Sequence, residues 1–145
     1  DHPASPFVYG FLGDVNLFKG RAHEGLANVG GMQLAAPEHG AAHNEQVLAY
    51  VRPHDLDVQR PSAGVAVPAN ALLATLSRAI VVGPIARLEL TPEASAHELS
   101  TADPDTLIEA QIPAQQFYDM GFREGEILLL TPRRARVFLD QAVGI

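Results

Sequence analysis

Most of the chain is short apolar-rich runs cut by Gly and Pro, alternating at places such as 56–58 and 87–90, the punctuation of strands rather than helices. The first segment is an exception. Ser5 and Pro6 precede Phe7, Val8, Phe11 and Leu12, whose spacing puts the apolar residues on one face of a short helix. Gly13 supplies its stop. A helix this short is marginal alone, so its apolar face is expected to dock on something.

From Leu17 the punctuation becomes that of strands. Residues 17–27 run toward a Gly30-Gly31 turn, and 32–35 return from it. Residues 46–51 form a strand ending at Pro53, and Leu56-Asp57-Val58 alternates. Residues 60–70 are rich in Pro, Ala and Gly and read as a loop. The clearest β signal follows, with 72–82 and 85–90 flanking Gly83-Pro84. After a polar loop over 91–104 come a strand at 107–112, one helix at 114–120 closed by Gly121, a strand at 127–130 and another near 136–139. About seven short strands with one inserted helix predict a mostly β fold, a small OB-like barrel or a pair of barrels. The expected organisation is a linker and junction helix over 1–16, then a body over 17–145 with a break near 60–72.

Composition narrows the function. The chain has 145 residues, of the size of one domain, and no cysteine, which excludes disulfides and thiolate chemistry. No apolar run approaches the roughly 20 residues of a membrane helix. The net charge is −7, with one Lys and nine Arg among 17 acidic residues, so the overall field repels polyanions. Together with 6% aromatic residues this argues against a nucleic-acid binder. Arg133, Arg134 and Arg136 form the one tight basic cluster, read as a solvated strand end.

Candidate chemistry is sparse. Neither G-x-x-x-x-G-K-[ST] nor G-x-G-x-x-G is present, so nothing points to a nucleotide site. His39 and His43 have the spacing of a helical metal pair, but Pro37 and Gly40 break a helix there, and a solvated loop is the better reading. The serines sit in no strand-to-helix elbow, and Asp103 and Asp105 flank Pro104 as turn residues do. In Val51-Arg52-Pro53-His54-Asp55, Pro53 ends a strand and Asp55 serves the turn; a functional alternative aims Arg52 at an anion or a partner.

Five segments in order carry a resemblance: residues 6–18 (PFVYGFLGDVNLF), 51–55 (VRPHD), 83–90 (GPIARLEL), 108–110 (IEA) and 132–138 (PRRARVF). Together they resemble the C-terminal regulatory region, with its TOBE (OB-like) domain, of ATPase subunits of ABC importers, in particular the sulfate/thiosulfate branch. The resemblance implies a regulatory and pairing domain without catalytic residues, cofactor or metal of its own, ATP and Mg2+ belonging to the rest of the subunit. It implies the ATPase domain of the same subunit, a second copy of this domain and, through the whole subunit, the membrane permease as partners, at the inner face of the cell membrane; no nucleic acid is expected. Phe7, Phe11, Leu12, Asp14, Arg52, His54 and Asp55 are the expected domain or subunit contacts. The alternative is a module that senses sulfate or another oxyanion, with Lys19, Arg21, Arg52 and Arg87 as candidate donors. Gly13-Asp14-Val15-Asn16 lacks the serine and arginine of the molybdate branch's oxyanion motif, which weakens that alternative.

Overall fold

The computed structural model describes residues 15–41, 43–93 and 107–139, with Glu38 described by its backbone alone. The expected helix over 5–12, the candidates Phe7, Phe11, Leu12 and Asp14, and most of the polar loop after Thr91 lie outside these residues.

Alternation builds the first sheet. In β1 (Asn16–His23) the side chains of Asn16, Phe18 and Ala22 turn inward. β2 (Leu26–Val29) and β3 (Met32–Ala35) each bury every second residue. β4 (His43–Val51) is exposed at its start and wholly buried from Val47 onward, as a central strand is. β1 pairs antiparallel with both β2 and β4. At Gly20 the backbone of β2 comes so close that a Cβ would lie 2.8 Å from Val29 Cα and run into the Asn28 carbonyl.

The second sheet holds β5 (Leu56–Gln59), β6 (Leu72–Val82), β7 (Ile85–Pro92), β8 (Ile108–Pro113) and β9 (Ile127–Pro132) in the order β5-β9-β6-β7-β8. A bulge between Leu76 and Arg78 leaves Ser77 out of the β6–β7 ladder, where its hydroxyl meets that of Thr91 at 2.7 Å. The helix α1 (Ala114–Met120) follows β8 and ends at Gly121, whose left-handed φ of 67° supplies the cap. The chain then returns to the first sheet. β10 (Arg136–Leu139) pairs with β4, giving the order β10-β4-β1-β2-β3. Inward residues of both sheets form one cluster, from Phe18 and Val47 to Leu88 and Leu130.

The mostly β expectation therefore holds: the described residues form two antiparallel five-stranded sheets and one α-helix. Three details differ from it. The described residues form ten strands rather than about seven. The expected strand 17–27 is cut by a two-residue turn at Glu24-Gly25, with φ of 52° and 89°. Glutamate rarely enters that conformation, so the turn carries no sequence signal. Two strands also reach further than expected, β4 starting at His43 rather than at 46 and β7 ending at Pro92 rather than at 90.

Candidate functional site

The structure joins the five quoted segments through a small set of polar side chains. Asn16, 6% exposed, is the buried polar residue among those described. Its Nδ2 donates to the Val51 carbonyl at 3.1 Å and to the Glu109 carbonyl at 2.8 Å, while its Oδ1 accepts from the Glu109 N–H at 2.8 Å. One amide thus ties the start of β1 to the end of β4 and to β8 in the other sheet. Glu109 in turn accepts from Arg87, with its carboxylate 2.6 Å from Nη2 and 3.1 Å from Nε.

The corner after β4 is a 3-10 turn over Pro53–Asp55, closed by the Asp55 N–H on the Arg52 carbonyl at 2.9 Å. Pro53 is buried. Arg133 clamps this turn: Nη1 donates to Asp57 Oδ1 at 2.9 Å, Nη2 to the His54 carbonyl, and its backbone N–H to the Asp55 carbonyl at 2.7 Å. Arg133 is an exposed residue just past the end of β9, as expected, but its guanidinium is held by the corner. A guanidinium presents donors in a fork that suits a carboxylate and a carbonyl together, and nothing in the sequence marks that pairing. Arg134 and Arg136 line an open cleft of about 470 Å³ with His39, Ala135, Val137 and Phe138.

A second clamp was equally silent in sequence. Arg60, at the start of the expected loop, binds the Glu126 carboxylate, donates to the Gly121 carbonyl at 3.1 Å and lies over the Phe122 ring, 5.2 Å from its centroid. The Arg60 guanidinium, and next the Arg123 N–H at 3.0 Å, hold the Glu126 carboxyl below its ordinary value of 4.5.

The four candidate anion donors are spread over three places in the fold. Lys19 and Arg21 lie on β1, opposite Leu48 and Gln46. Arg21 Nη1 donates to the Asn44 carbonyl at 2.8 Å. Arg52 leads into the turn, and Arg87 on β7 holds Glu109. Histidines are rearranged relative to the sequence reading. His39 uses Nε2 on the Val137 carbonyl at 2.8 Å, whereas His43 meets His23, their ring centroids 5.6 Å apart. Among the described residues, glycine turns such as Gly25, Gly30-Gly31, Gly83 and Gly125 lead into strands, not into a helix N-terminus that would receive phosphate.

No helix among the described residues is long and apolar enough to cross a membrane. The two-sheet body defines an OB-like fold. The solved structure of the cytoplasmic molybdate-binding protein ModG, with molybdate bound, superposes with a TM-score of 0.63 over 86% of this chain and 95% of that one, at 15% identity. Residues 16–58 match the family model of the CysA C-terminal regulatory domain and residues 68–133 that of a TOBE-like domain. Over 141 residues the chain is 45% identical to the sulfate/thiosulfate import ATP-binding protein CysA of Bordetella pertussis and 38% identical to that of Bacillus cereus. Over 144 residues it is 36% identical to CysA 2 of Shewanella oneidensis. These alignments cover 97 to 99% of this chain but only 36% of each relative.

Proposed function

We propose that the chain is the regulatory and pairing region of the ATP-binding subunit of a sulfate/thiosulfate importer. The observation that carries this reading is the 45% identity to the Bordetella pertussis relative over 97% of the chain. The interlocked segments add to it: Asn16, Val51, Arg87, Glu109 and Arg133 hold the first sheet, the corner and β8 in one fixed arrangement. A rigid body of this kind transmits a change at one surface to another, and regulation needs a coupling of only about 1–3 kcal/mol. In this reading residues 1–16 join the ATPase domain to a body over 17–145, with Phe7, Phe11, Leu12 and Asp14 at the junction. The corner at Arg52, His54 and Asp55 meets a second copy or another domain. ATP and Mg2+ act in the part of the subunit that this chain does not span, at the cytoplasmic face of the membrane beside the permease, and this region performs no catalysis itself.

The test is sulfate uptake by cells in which this chain replaces the corresponding region of the Bordetella pertussis subunit. Uptake that persists with the graft and is lost or deregulated when the region is deleted supports the reading. A graft that is made and stable yet supports no uptake overturns it.

A second reading, sensing of an oxyanion, is favoured by the shared fold with a molybdate-binding protein. It is weakened by the commitment of Arg21 and Arg87 to partners within the chain. Light scattering with and without sulfate separates the two: a dimer indifferent to sulfate favours pairing, and a monomer that dimerises only with sulfate favours sensing. Calorimetric silence with sulfate, thiosulfate and molybdate removes the second reading.

A further inference from the structure

The end of the first sheet gathers three metal-ligand side chains. The Glu24-Gly25 turn ends β1, and a bulge between Ala22 and His23 shifts the β1–β4 register so that His23 lies opposite His43. The two imidazoles stand edge to face, and His23 Nε2 is 3.6 Å from Glu24 Oε2. One ligand atom from each of His23, Glu24 and His43 lies within 4.8 Å of the other two, and all three residues are exposed.

The geometry points to a divalent transition-metal site formed by His23, Glu24 and His43. Two imidazoles and one carboxylate suit zinc or nickel, whereas magnesium and calcium require sets of oxygen ligands. Donors around a tetrahedral ion with bonds of about 2.0–2.2 Å stand roughly 3.3–3.5 Å apart. The His23–Glu24 pair is within a few tenths of an ångström of that spacing. Drawing in His43 takes rotation of an exposed ring, with no displacement of core. Three protein ligands leave a further coordination position for water or for a group from outside the chain. A bound ion would staple the β1–β2 turn to the start of β4.

The experiment is calorimetry of the tag-free 145-residue chain with zinc chloride, nickel chloride and magnesium chloride, together with the visible spectrum of the cobalt-loaded protein. One zinc per chain is expected, with no magnesium heat, and a cobalt band of tetrahedral or five-coordinate intensity. His23→Ala and His43→Ala are each expected to weaken zinc binding by about tenfold or more, Glu24→Gln by less, and His39→Ala not at all. Because the three positions are exposed, circular dichroism of each variant should match the parent. Absence of zinc binding by the parent, or equal binding by the His23→Ala/His43→Ala double variant, overturns the proposal.

Discussion

Asn16 and Glu109 face each other as paired strand residues do, with the Asn16 side-chain amide taking the place of a backbone: it donates to the Glu109 carbonyl and accepts from the Glu109 N–H, each at 2.8 Å. An asparagine amide has both capacities within one planar group, which a carboxylate or a hydroxyl cannot reproduce in the same geometry.

Replacing Asn16 by Ala strands the Glu109 N–H and two carbonyls in buried or part-buried surroundings. The expected loss is about 2–4 kcal/mol in urea unfolding, since each unsatisfied group costs roughly 1–3 kcal/mol. Glu109→Gln removes only the Arg87 ion pair, whose partners are 45% and 25% exposed, and is expected to cost at most about 1 kcal/mol. A similar cost for both variants would show that Asn16 is not the clamp.

Gly20→Ala is expected to disrupt the β1–β2 pairing, because the added Cβ meets the backbone of Asn28 and Val29 and backbone cannot swing aside. Overpacking at such a point costs about 3 kcal/mol or more. Gly40→Ala provides the contrast. Gly40 has φ of −62°, and a Cβ there comes no nearer than 3.4 Å to the Pro37 carbonyl. Its effect should stay within about 0.5–1 kcal/mol and of either sign. Thermal unfolding of the two variants side by side tests the pair.

Arg133→Ala should loosen the corner without unfolding the body. The Asp57 carboxylate and the His54 carbonyl lose their donor, at about 1–2 kcal/mol for partly exposed charged hydrogen bonds. Arg133→Lys should recover only part of this, as an ammonium lacks the fork that reaches both groups. Hydrogen exchange read residue by residue should quicken at Asp55 and leave β6 and β7 amides unchanged; uniform quickening would mean that Arg133 supports global stability instead.

Glu126 gives the fold a dependence on pH. Its carboxyl titrates below 4.5 in the folded chain because Arg60 and the Arg123 N–H favour the charged form. A depressed folded value means that the contribution is present above the unfolded value and is lost as pH falls through the folded one. Both partners are partly exposed, so it amounts to at most about 1 kcal/mol. The stability gap between the parent and Glu126→Gln should therefore be largest near neutrality and close in acid, as pH falls below the ordinary carboxylate range. A gap that widens in acid would reverse the assignment.

Local grammar was readable and remote pairing was not. The helix Ala114–Met120 was legible to the residue because Gly121 caps it in the left-handed region, and the Gly83-Pro84 turn separates β6 from β7 as expected. The Glu24-Gly25 turn was hidden, since a glutamate there resembles an ordinary strand residue. Asn16 reads in sequence like any polar residue at a strand start; its burial depends on β8, more than ninety positions later. The Arg133 clamp was hidden for the same reason, its partners being two backbone carbonyls and Asp57, none of which leaves a pattern near it. His39 and His43 share a spacing and read as a solvated loop; nothing in the sequence marks the bulge in β1 that places His23 opposite His43.

The placement of β10 bears on the order in which the chain can be completed as it leaves the ribosome. β1 to β4 are made first, yet β4 keeps one edge unpaired until residues 136–139 emerge, after the whole second sheet has been synthesised. An unpaired edge beside the buried run Val47–Val51 is a template for wrong pairing with another chain. A nascent chain that stops short of Arg136 leaves that edge open, and β10 is the latch that closes it.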